Sequence, residues 1–239
     1  MNSITDAGDF GQAGALLRGE SEEMARWIER WDARRLIFCL ATIFLGAGLF
    51  GGALGWWRDP AQALYGAIKF PLVILLTTAG TALLNGMLAP LLGLNLKFRQ
   101  SLLVILLSYT IASIILGGFS PILLFVIWNA PPMSVSSPTA ESGHSAVMVV
   151  EVCLIAFAGT LANVRLRQLL ERQSGSPQVS WRVLSAWLVA NLFLGAQLSW
   201  ILRPFVGAPG LPVEFLRPNA FQGNFYETVF NSIKHLLGS

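Results

Sequence analysis

The chain has 239 residues, of which 54% are hydrophobic and only 12% charged, and its mean hydropathy is +0.60. A soluble domain carries about a quarter charged residues, so this composition excludes an ordinary soluble globular protein. The net charge of +3 and the pI near 9.2 do not call for nucleic acid, because the basic residues gather at the ends of apolar segments, where they orient a membrane protein.

Residues 1–35 form a cytoplasmic N-terminal segment, too long and too acidic to be the leading part of a signal peptide. A helix is expected from Ser21, with Ser21 as its cap and Glu22 and Glu23 at the positive end of its dipole. Met24, Trp27, Ile28 and Trp31 make one apolar stripe, opposite Arg26, Arg30, Arg34 and Arg35. Such an amphipathic helix lies on the membrane surface or packs on the protein's own cytoplasmic loops.

Five apolar segments follow, over about residues 36–57, 70–92, 101–128, 145–164 and 183–202. Each is near the ~20 residues that a helix needs to cross a bilayer. Lipid offers the backbone no hydrogen-bond partners, so these segments are expected to be helices. The fold class is therefore an all-α membrane bundle of five transmembrane helices spanning 36–202.

The first segment carries Gly48, Gly51, Gly52 and Gly55, giving two Gly-x-x-x-Gly pairs and a predicted face for close helix packing. Trp56 to Pro60 end it as an interfacial belt and turn, and Lys69-Phe70-Pro71 is read as the opening of the second segment. Gly117 to Pro121 predict a kink or tilt in the third. Residues 129–144, rich in Pro and Ser, are read as a loop, and residues 165–182 as a basic connection. Cys39 and Cys153 belong to different depths and are expected to be free thiols.

Eleven basic residues fall on the N-terminal side of the membrane and five on the other. The positive-inside rule then places the N-terminus in the cytoplasm and, after five crossings, the C-terminal tail 203–239 outside. In that tail Pro204, Pro209 and Pro212 stop the fifth helix, and Asn224 with Glu227 is expected to cap a short amphipathic helix on the outer surface or against the bundle.

Glu151 is the unusual residue, an acid inside the fourth segment. An ionised carboxylate there costs a few kcal/mol unless it is paired or reaches water. Lys69 and Arg203 come from the same outer level, so Glu151, Arg203 and Lys69 form a candidate intramembrane polar site. It serves either as an ion or proton site or as a pair that sets helix register. Asn85, Asn163, Asn191 and Gln197 are read as hydrogen-bonding glue between helices. No catalytic or phosphate-loop pattern occurs, and His144 and His235 stand without partners at metal-ligand spacing, so neither cofactor nor metal is expected.

The stretch Gly195 to Gly207, followed by Asn224-Phe225-Tyr226-Glu227, resembles bacterial Yip1-like multi-pass membrane proteins. That resemblance implies a bundle of about five membrane helices, a cytosolic N-terminus and a non-enzymatic habit. The Asp-Leu-Tyr-Gly-Pro motif of eukaryotic Yip1 proteins is absent, so their trafficking role and small-GTPase partners are not implied. The expected function is a non-catalytic integral membrane protein: a scaffold, an assembly factor or a subunit of a membrane complex. The alternative is small-solute or ion permeation through Glu151. The expected partners are the lipid bilayer and other membrane proteins or further copies of the chain. The expected location is the plasma (inner) membrane if the source is bacterial.

Overall fold

In a computed structural model, the residues described are 32–130, 138–207 and 212–227. The expected helix at 21–35 lies almost wholly outside them. The described residues form an all-α bundle of five helices: α1 (Ala33–Trp56), α2 (Pro60–Leu91), α3 (Phe98–Asn129), α4 (Pro138–Ser174) and α5 (Pro177–Leu202). All five contain stretches long and apolar enough to cross a membrane. Many large apolar side chains face outward on every helix, among them Leu45, Leu83, Phe125, Val152 and Leu192. That is the arrangement a lipid solvent demands. The chain is an integral membrane protein.

The helices extend beyond the apolar segments read from sequence. Asp59 caps α2 by accepting from the Ala61 N–H at 2.7 Å, and Pro60 occupies its first turn. Proline fits there because that turn has no use for its missing N–H. Helix α2 therefore starts at Pro60 and runs on through Pro71, which does not open it. Helix α3 likewise runs unbroken past Gly117 and Pro121. The expected loop 129–144 gives way to helix at Pro138, and the expected connection 165–182 shrinks to two residues. Gly175, at φ +64°, takes the left-handed conformation that closes α4, and Pro177 starts α5.

Helix α1 packs on both α2 and α3, α4 packs on α3, α5 packs on α2, and α4 meets α5. Close approach rests on glycine. A Cβ on Gly51 would overlap the Gly66 carbonyl oxygen, and one on Gly55 would lie 2.8 Å from the Ala63 Cα. Gly48 faces the Ala67 carbonyl, which has lost its helical donor because Pro71 has no N–H; a Cβ there would sit 3.1 Å from that oxygen. Gly52 is looser, at 3.5 Å from the Ala67 Cβ. Gly46 and Gly117, outside the predicted face, bring α1 against α3.

The segment after α5 folds back over the α1–α2 end of the bundle. Phe205 meets Phe70 edge-on at 5.0 Å, and Phe215 meets Tyr65 at 5.5 Å. Asn224 accepts from the Glu227 N–H at 2.7 Å, the expected cap, and Tyr226 stacks on Phe193 of α5. Cys39 is buried and Cys153 exposed, and both are free thiols.

Candidate functional site

Four helices leave a gap that their side chains do not fill. An elongated crevice of about 530 Å³ lies between α2 and α3 on one side and α4 and α5 on the other. Its α4 wall runs from Glu151 to Leu166, a rise of ~22 Å at 1.5 Å per residue. Most of the wall is apolar, with Val73, Ile74, Ile105, Leu116, Leu184 and Trp187 prominent in it. Gly159 also lines it, and a Cβ placed there would touch nothing within 4 Å. Helix α1 contributes no wall residue.

A few polar groups interrupt this surface. Glu151, 8% exposed, sits at one end of the α4 wall. Thr77 on α2 also lines the crevice, and its buried hydroxyl has no hydrogen-bond partner among the described residues. Asn191 on α5 accepts from the Thr81 hydroxyl at 2.6 Å and from the Asn85 amide at 3.2 Å, which ties α5 to α2. Trp187 adds a bond from its indole N–H to the Asn85 carbonyl at 2.9 Å. In lipid such cross-helix bonds contribute about 0.6 kcal/mol each on average. Asn163 instead bonds within α4, to the Gly159 carbonyl at 2.8 Å, and Gln197 accepts from the Phe225 N–H at 3.1 Å.

The structure does not bring the three charged residues of the predicted polar site together. Lys69 is fully buried, and its Nζ donates to the Pro204 carbonyl oxygen at 2.9 Å. The rings of Phe215 and Tyr65 flank that ammonium at 5.2 and 5.9 Å. Arg203 lies on the ring of Trp200. Glu151 makes no ion pair and no hydrogen bond among the described residues. The cause is the return of the chain after Leu202. It carries the Pro204 and Phe205 carbonyls to Lys69 and Gln62, and it places the Phe70 and Phe205 rings, not the two cations, beside the crevice with Glu151.

Sequence reasoning found Glu151 and the amides but missed the crevice and Thr77. A hydroxyl on an apolar helix commonly bonds its own backbone four residues back, as Thr78 does to Ile74 and Thr110 does to Leu106, so threonines attract no notice in a sequence. Only the packing shows that Thr77 does otherwise.

The fold and site define a class: a five-helix integral membrane bundle with an apolar crevice bordered by one carboxylate. Compared with family models, curated proteins and solved structures, the chain matches none.

Proposed function

We propose that the protein is a non-catalytic membrane component that holds an elongated apolar molecule, a lipid chain in the first instance, within its bundle, and that it serves as an assembly factor or subunit of a membrane complex. The observation that carries this reading is the crevice itself. Its volume of about 530 Å³ falls within the range of small-molecule sites, ~300–1,000 Å³, and its wall is mainly aliphatic and aromatic with a few polar groups. A hydrocarbon chain matches that wall, and the Glu151 carboxyl at one end suits a hydroxyl or cationic head. The resemblance to Yip1-like proteins agrees with a non-enzymatic habit. The eleven-to-five basic asymmetry supports a cytoplasmic N-terminus, and for a bacterial source a place in the inner membrane.

The test is to purify the protein in mild detergent and identify retained small molecules by native mass spectrometry. Gly159→Phe fills the open space in the crevice and should abolish a retained chain while leaving the fold intact. Retention undiminished in that variant would refute the reading.

Small-solute or ion permeation is the second reading, favoured by a crevice-lining carboxylate that no cation among the described residues neutralises. It requires a pH-dependent flux in liposomes that Glu151→Gln removes. Liposomes without such a flux would exclude it.

A further inference from the structure

At the end of the bundle reached by the C-terminus of α5, three side chains gather buried hydrogen-bond donors that have no acceptors among the described residues. Trp200 is in the last turn of α5, Arg203 directly follows the helix, and Arg217 comes from the returning segment. The Arg203 guanidinium lies on the Trp200 ring, and that of Arg217 is 5.5 Å from the centre of the same ring. Four nitrogens are shut off from solvent without a partner among the described residues: Trp200 Nε1, Arg203 Nε, and Arg217 Nε and Nη2.

Indole and guanidinium nitrogens only donate, so they cannot satisfy one another. The Trp200 ring face attracts the two cations, but it does not supply the lone pairs that in-plane N–H groups need. Neither guanidinium forms an ion pair with any described carboxylate. Two like charges are thus brought to one ring. Burial, and next the nearby Arg217 charge, hold Arg203 below the ordinary range of a guanidinium. Buried donors normally have partners, and a set of orphans signals a group that completes them.

We propose that Trp200, Arg203 and Arg217 form a binding site for a phosphate oxyanion. A tetrahedral phosphate has several oxygens to share among neighbouring donors, and arginine forks match it in a bidentate way. A single negative charge also relieves the repulsion between the two guanidiniums. All three side chains are half-buried, so the cluster has an edge open to the surface. It adjoins Leu202, the last residue of a candidate membrane span, at the level where phospholipid headgroups lie. The phosphate is therefore that of a lipid headgroup or a free phosphate ion, and this inference does not depend on what occupies the crevice.

The experiment uses the full chain in mild detergent, with melting temperature and native mass spectrometry as readouts. The probes are phosphatidylglycerol, a diacylglycerol of the same chains without phosphate, and inorganic phosphate alone. The expected result is retention of phosphatidylglycerol, but not of diacylglycerol, with a raised melting temperature. In the double variant R203K/R217K both charges remain while the forks are lost, and affinity should fall by about tenfold or more, as for loss of hydrogen bonds to a charged group. If millimolar inorganic phosphate gives the same stabilisation and displaces the lipid, the site is supported with the free ion as its source. If it does neither, the lipid headgroup is the source. W200F keeps an aromatic face and removes one donor, so it should weaken phosphate-dependent binding severalfold even where the double variant fails to fold. Equal retention of the two lipids with no effect of inorganic phosphate would overturn the site, as would unchanged affinity in W200F.

Discussion

The ammonium of Lys69 donates to the Pro204 carbonyl oxygen at 2.9 Å, across 135 positions of sequence. The Gln62 amide donates to the same oxygen at 3.0 Å and to the Phe205 oxygen at 2.8 Å. Two residues of α2 thus hold the start of the C-terminal segment against the bundle, and one of them is a buried cation with no carboxylate beside it among the described residues.

From this doubling we predict that Lys69→Met is neutral or mildly stabilising in detergent. The desolvation cost of the cation disappears, and Gln62 still satisfies the Pro204 oxygen. Gln62→Leu should instead cost ~1–3 kcal/mol, because it strips the Phe205 oxygen of its Gln62 donor. Thermal unfolding of both variants measures this. A loss of ~3–5 kcal/mol in Lys69→Met would mean that Lys69 has an ionic partner after all.

Gly51→Ala should destabilise by ~1–3 kcal/mol, the usual cost of overpacking, because the new methyl would overlap the Gly66 carbonyl. Gly52→Ala meets only ordinary contacts and should change stability little. Equal melting temperatures for the two variants would show that α1 and α2 are not as close as described.

Asn191→Leu should lower stability by ~1 kcal/mol, since it removes the acceptor of Thr81 and Asn85 and strands the Asn85 amide. Combining it with Asn85→Leu should recover part of the loss if the two amides act as one unit. Strict additivity in that double-mutant cycle would argue against the cross-helix bond.

For Glu151, burial without a described partner predicts that Glu151→Gln keeps or slightly raises stability, since a charge is removed and no ion pair is broken. A marked fall, rescued by a second substitution at Lys69 or Arg203, would restore the pair expected from sequence. The measurement is unfolding in detergent at one fixed pH.

Reporter fusions test the orientation. A fusion after Arg172 should read cytoplasmic and one after Ser239 extracytoplasmic, given the basic asymmetry. A cytoplasmic reading at residue 239 contradicts five crossings.

Sequence alone determined that the chain is helical, that it has five spans, and that Asn224 caps against Glu227, because a 20-residue apolar run and a local cap depend only on near neighbours and on the solvent. The glycines of α1 announced close packing by their spacing. Which of them are tight, Gly51 and Gly55 rather than Gly52, depended on the rotation of α2 against α1, and Gly46 was needed for α3. The helix ends escaped the reading because hydropathy marks where lipid begins, not where hydrogen bonding stops: Pro60 with Asp59 extends α2, and Gly175 with Pro177 leaves almost no loop between α4 and α5. Equal depth likewise suggested that Glu151 meets Lys69 or Arg203, but depth is one coordinate of three. The turn after Leu202 sent Lys69 to Pro204 and Arg203 to Trp200, leaving Glu151 beside a crevice that exists only because four helices from distant parts of the chain fail to close upon each other.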